Sequence, residues 1–129
     1  MNLIFFDLDG TLLNSASEIS PFTKETLVLL DEKNIAYTVA TGRTMLSAKS
    51  ILKGHDFILP QVYNNGVTIW DPKSQELTLE HLLGSQEIST VINLAISQGI
   101  TPFVHAIDDQ HYFIYHSAPS HKVEEDLIN

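Results

Sequence analysis

There is no cysteine among the 129 residues. Disulfides, thiol nucleophiles and cysteine metal sites are therefore excluded, and a reducing, cytoplasmic setting is expected. Positive charge is scarce as well. Lys plus Arg number 7 against 16 Asp plus Glu, a formal net charge of −9. That balance argues against a nucleic-acid or anionic-membrane surface, since both call for a basic stripe. Any phosphate site has to be built locally, from backbone N–H groups, a few cations and a metal. Long apolar runs are missing too. The first, Leu3-Ile4-Phe5-Phe6, is too short to span a bilayer, and no basic segment precedes it as in a secretion signal. Internal repeats, low-complexity tracts and long charge runs are absent. What is present, 43% hydrophobic residues, suffices for one modest globular core.

The densest chemical signal follows that first apolar run directly: Asp7-Leu8-Asp9-Gly10-Thr11-Leu12-Leu13. Leu3–Phe6 reads as a buried strand. If strand geometry continues, two carboxylates two residues apart point the same way. Such a pair repels unless one member is protonated or a cation lies between them. Magnesium suits it, because this hard cation takes one or two carboxylates together with phosphate oxygens. Gly10 permits a sharp turn and a close approach to a ligand. An isolated Asp-x-Asp fits a strand end with a solvated acidic turn. The order strand, two acids, Gly-Thr, two leucines favours a site instead.

Further along, strands and helices alternate. Ser20-Pro21 opens a helix, with Ser as N-cap and Pro at the first helical position, running to about Lys33. Phe22, Leu27 and Leu30 form its apolar stripe. Residues 35–40 read as a second strand, and Thr41-Gly42-Arg43 stands at its end. Met45, Ala48, Ile51 and Leu52 fall at helical spacing, closed by Gly54. A third apolar stretch covers 57–63, with the strand proper after Pro60. This βαβαβ series predicts a parallel sheet with right-handed crossovers and ligands at the carboxyl ends of its strands. A hairpin around Asp71-Pro72-Lys73 follows. Ser85 is the predicted N-cap of a helix to about Ser97. Strands over 101–106 and 111–115 meet at Asp108-Asp109-Gln110, and a further helix begins after Ser117.

Thr41-Gly42-Arg43 offers a hydroxyl, an approachable N–H at a helix start and a charged fork, which together read as phosphate capture. Taken alone, it fits an N-cap threonine beside a surface arginine better. Asn64-Asn65-Gly66 alone is a tight-turn signal. His105, His111, His116 and His121 lack the helical pair spacing of a zinc hydrolase and read as surface or strand-edge residues.

Taken together, Asp7 to Leu13, Thr41-Gly42-Arg43 and Asn65-Gly66 resemble the motifs of haloacid-dehalogenase-like (HAD) phosphohydrolases. The Thr-Gly-Arg form is similar to their Cof-type branch, which includes sugar-phosphate phosphatases. The resemblance implies an α/β fold: a partial Rossmann-like HAD core over 1–83, then the first half of an α/β cap over 84–129. It implies Asp7 as the nucleophile that becomes aspartyl-phosphate and Asp9 as general acid, then base. Magnesium would be held by Asp7 and Asp9. Thr41 and Gly42 would bind phosphate, and Arg43, Asn65 and Gly66 the substrate, a small phosphorylated metabolite. The chemistry agrees with that division. A carboxylate attacks a metal-bound phosphoryl group, and a second carboxyl protonates the leaving oxygen and later activates water.

In the family, a Lys or Arg motif and a second acidic motif come after the cap. Nothing past Asp109 matches either one. Lys122 and Asp108-Asp109 lack the strand context they need. The expectation is therefore a magnesium-dependent phosphatase truncated before those motifs and inactive alone. The alternative is a non-catalytic binding or assembly module that keeps the fold. A phosphorelay receiver would need an acceptor Asp where Tyr63-Asn64-Asn65 stand. Without flanking core strands, Leu3–Phe6 becomes an exposed apolar edge, so self-association is expected.

Overall fold

The computed structural model describes residues 3–108 and 111–118. Strand β1 (Leu3–Phe6) pairs in parallel with β2 (Ala36–Val39), Phe6 opposite Val39. Helix α1 (Pro21–Glu32) connects them. Ser20 caps it as predicted: its Oγ accepts the Thr23 N–H at 3.1 Å, and Pro21 takes the first position, where no N–H is needed. Leu27 is the buried residue of α1 and Leu30 packs against the core. Phe22, expected on the same stripe, is 78% exposed. It stands in the first turn of the helix.

Helix α2 (Met45–Ile51) returns the chain to β3 (Gln61–Tyr63), which begins directly after Pro60. The parallel step from β2 to β3 is one bridge wide, Ala40 to Val62, with the Thr41 N–H donating to the Val62 carbonyl at 3.0 Å. Beyond it, β4 (Thr68–Asp71) and β5 (Glu76–Leu79) continue antiparallel, as the hairpin signal predicts. The architecture is mixed α/β with a parallel start, the expected class. Buried polar groups lock the third strand in place. Thr38 Oγ1 donates to the Pro60 carbonyl at 2.8 Å, Gln61 Nε2 donates to the Phe57 carbonyl at 3.0 Å, and the Tyr63 hydroxyl donates to Gln61 Oε1.

The chain divides into two compact units, Met1–Leu82 and Leu83–Asn129. In the second, α3 (Ser85–Ser97) precedes β6 (Val104–Asp108) and β7 (His111–Tyr115), an antiparallel pair with Asp108 opposite His111. Gly84, not Ser85, is the N-cap of α3. Gly84 is extended and Ser85 already helical, while the Glu87 carboxylate reaches back to accept the Gly84 N–H at 2.7 Å. The turn residues Asp109 and Gln110 and everything past Ala118 lie outside the described residues, including His121, Lys122 and the helix expected there. Among the described residues, no helix is long and apolar enough to cross a membrane.

Candidate active site

Strand geometry ends at Asp7 (φ −71°, ψ 157°). The chain then makes a wide turn. The Leu12 N–H donates to the Asp7 carbonyl at 3.2 Å, and the Leu13 N–H to the Leu8 carbonyl at 2.9 Å. Gly10 adopts φ +73° inside this turn, the left-handed region that glycine occupies without steric cost. Leu8 and Leu12 are buried in the core while Asp7, Asp9, Gly10 and Thr11 are exposed. The apolar members of the motif are thus anchors that turn its polar members outward.

The paired strand ends at Phe6, before the two acids, and both carboxylates lie on the exposed side of buried Leu8. Each has its own partner. Asp7 Oδ1 accepts the Leu8 N–H at 2.8 Å. Asp9 receives both arms of Arg43, Nε on Oδ2 at 2.7 Å and Nη2 on Oδ1 at 2.6 Å. The hydrogen bond from Arg43, helped by its charge, holds the Asp9 carboxyl below the usual carboxylate range. The same contact raises the arginine.

Nor does Thr41 begin a helix. Helix α2 starts at Met45 under its own cap, Thr44, whose Oγ1 accepts the Ser47 N–H at 3.2 Å. Thr41 Oγ1 instead accepts the Arg43 N–H at 3.2 Å, so residues 41–43 are used in a local turn. The Asn64-Asn65-Gly66 turn docks on this loop. The Asn64 N–H donates to the Arg43 carbonyl at 2.9 Å, and the Asn65 N–H to the Thr41 carbonyl at 3.1 Å. Asn64 and Asn65 sit at φ 50° and 54°, left-handed positions that asparagine tolerates better than most residues. Gly42 faces Asn65 closely: a Cβ there would meet Asn65 Oδ1 at 2.9 Å. Sequence reasoning chose Asn65 and Gly66 but missed Asn64, which ties down the backbone of Arg43. The doubled asparagine before a glycine was the available signal.

Five of the seven predicted site residues, Asp7, Thr41, Gly42, Asn65 and Gly66, line one hollow of about 510 Å³. Asp9 and Arg43 are not in its lining and pair with each other.

Residues 4–128 match the family model of haloacid dehalogenase-like hydrolases. The chain belongs to that family. A 5-amino-6-(5-phospho-D-ribitylamino)uracil phosphatase of Bacillus subtilis, YwtE, is 39% identical over 71 residues, which is 55% of this chain and 24% of that protein. An HMP-PP phosphatase of Serratia proteamaculans is 35% identical over 75 residues, 58% of this chain and 27% of its own length. A solved haloacid dehalogenase-like hydrolase from Bacteroides thetaiotaomicron aligns with 98% of this chain and 48% of its own, at TM-score 0.69 and 26% identity. This HAD-like chain therefore spans less than half of each of these relatives.

The residues of this HAD-like chain fit magnesium in part. Asp7 provides a carboxylate at the hollow, and magnesium accepts one carboxylate completed by phosphate oxygens and water. Both oxygens of Asp9 accept from Arg43, so a cation at that side chain would lie beside the guanidinium charge. Among the described residues, no group of three His, Asp or Glu converges as a metal cage.

Proposed function

We propose that this chain carries the nucleophile half of a magnesium-dependent phosphatase for small phosphomonoesters. One observation carries the reading: Asp7 shares a hollow with Thr41, Gly42, Asn65 and Gly66. An Asp7 oxygen bonds to phosphorus as the bond from phosphorus to the substrate oxygen breaks. That oxygen leaves with a proton from Asp9. Asp9, now a carboxylate, takes a proton from water, and the hydroxide releases inorganic phosphate and regenerates Asp7. Magnesium, when bound at Asp7 with the phosphate, supplies charge neutralisation between the two anions. The Thr41 hydroxyl and Gly42 N–H hold phosphate oxygens, and Asn65 and Gly66 form the mouth.

Arg43 connects the halves of this reading. Asp9 cannot donate a proton while both its oxygens accept from Arg43. An arriving phosphate offers the guanidinium a second anion of matching geometry and frees Asp9. The small phosphorylated metabolite is the proposed partner; nucleic acid and membrane are not. Turnover by the chain alone is proposed to be slight, because the charge-neutralising cation and the second acidic motif of the family have no counterpart in it.

Beryllofluoride, which mimics a phosphoryl group on aspartate, tests this in the chain as it stands. With magnesium present, fluorine NMR should show a bound signal that Asp7→Asn abolishes. A bound signal that survives Asp7→Asn sinks the assignment. The closed Arg43–Asp9 fork supports one other reading, a phosphate-binding module without chemistry. Inorganic phosphate binding with no beryllofluoride complex would favour it.

A further inference from the structure

The few cations of this chain are unevenly placed. Lys49 of α2, Lys53 just past it, and Lys73 between β4 and β5 border one open cleft of about 770 Å³. Lys24 of α1 stands alongside. Its Nζ is 3.7 Å from where a Cβ on Gly54 would lie, and Gly54 lines the cleft. Four of the 7 Lys and Arg of a chain with net charge −9 thus gather around one depression. Among the described residues Asp56 is the only acid in the lining, and Glu18 borders the neighbouring hollow that Lys24 and Lys53 also reach. Asp71, two residues from Lys73, has its carboxylate on the Lys73 and Ser74 N–H groups, at 2.8 and 3.4 Å.

The floor is apolar. Leu52, Phe57 and Tyr63 are buried there, and Trp70 is partly open. Lys49 Nζ lies 5.6 Å from the Trp70 ring centroid, a cation–π contact. Clustered ammonium groups repel one another, and an anion among them relieves that repulsion. On β3, alternation sends Gln61 and Tyr63 to this cleft and Val62 to the Asp7 hollow. The two depressions share no lining residue and use opposite faces of the strand.

We propose that this cleft is a second binding site, for a small amphipathic anion. Its aromatic body lies against Trp70 and Phe57, and its carboxylate, sulfonate or phosphate meets Lys49, Lys53 and Lys73. The cleft's size falls inside the range of about 300–1,000 Å³ typical of small-molecule sites, which favours a compact ligand over an acidic protein segment.

Trp70 is the single tryptophan of the chain, so its emission reports on this cleft directly. The probes are anilinonaphthalene sulfonate and its uncharged parent, phenylnaphthylamine. The sulfonate should quench Trp70 saturably and bind more tightly than the parent. The double variant Lys49→Gln, Lys53→Gln should bind the sulfonate about tenfold more weakly, the loss of roughly one ion pair, and change binding of the parent less than about twofold. Far-UV circular dichroism should not change, since both lysines are exposed. Equal affinity for the two probes overturns the proposal. So does unchanged sulfonate affinity in the variant, or binding that leaves Trp70 emission untouched. Quenching by polyglutamate with no response to the sulfonate also overturns it, in favour of an acidic protein segment.

Discussion

Gly42 and Arg43 are neighbours in sequence with opposite constraints. A methyl group at Gly42 would press on the amide end of Asn65, which would have to shift to admit it. Gly42→Ala should therefore cost about 1 kcal/mol in urea melts and weaken the beryllofluoride complex more than it weakens the fold. Full retention of the complex would show that Asn65 has room to move. Arg43 acts through charge. Asp9 is held below its ordinary value when folded, so the pair adds stability above about pH 4, where the unfolded carboxyl is ionised. That increment is lost as pH falls through the lowered folded value. With the two side chains 27% and 55% exposed, water screens the pair and its worth is at most about 1 kcal/mol. Stabilities of Arg43→Gln and the parent should differ by that order near neutral pH and converge once Asp9 is protonated. A gap that persists in acid would mean Arg43 works by packing.

At the scale of elements, α1 and β3 make opposite use of their large side chains. Leu27 and Phe22 were both legible as apolar helix positions. Leu27 is 1% exposed and Phe22 is 78% exposed. Leu27→Ala should cost about 3 kcal/mol by leaving a cavity, whereas Phe22→Ser should stay within about 0.5 kcal/mol. Equal losses in chemical denaturation would place Phe22 in a contact that the fold of this unit does not show. On β3, burial pushes the Tyr63 hydroxyl up to about 12. Burial raises Tyr37 too, with the hydrogen bond and charge of Asp31 adding to it. For Tyr63, the folded state favours the neutral phenol. Its contribution is intact below the ordinary value of about 10 and disappears as pH climbs through the folded value. An absorbance titration should contain a late phenol step that Tyr63→Phe removes, and the fold should loosen across that window. An early step for Tyr63 would show that the strand opens to water.

Among the described residues, many large apolar side chains are exposed. Leu3 and Phe5 of β1 are 47% and 55% exposed, and among the described residues β1 is hydrogen-bonded to β2 alone. An unpaired, apolar edge is a template for another strand. We propose that the chain self-associates through β1, opposed by its net charge of −9 and therefore more strongly at higher salt. Light scattering at micromolar concentration should report a species larger than one chain, and Phe5→Lys should return it to one. A monomer whose β1 amides resist hydrogen exchange would overturn this, since something within the chain would then cover the edge.

The order of elements and the places where polar residues interrupt them were determined by the sequence alone. Ser20-Pro21, Pro60 and the apolar periods act within a few residues, so their meaning survives without the fold. The acidic motif after Phe6 and the Thr-Gly-Arg and Asn-Gly clusters identify the family on the same local basis. Only the tertiary structure decided how those clusters meet. It placed Arg43 on Asp9 across a loop, moved the α2 cap from Thr41 to Thr44, and seated Asn64 under the Arg43 backbone. Local rules predicted a strand running on through the acids and a phosphate site at a helix end because each assumed that an element continues. The burial of Leu8 and Leu12 and the pairing of β2 with β3 end those elements early, and burial depends on residues far away in the chain. The lysine cleft is of the same kind. Lys24, Lys49, Lys53 and Lys73 look like scattered surface charge until packing brings three of them onto one cleft with Trp70 and sets Lys24 beside it.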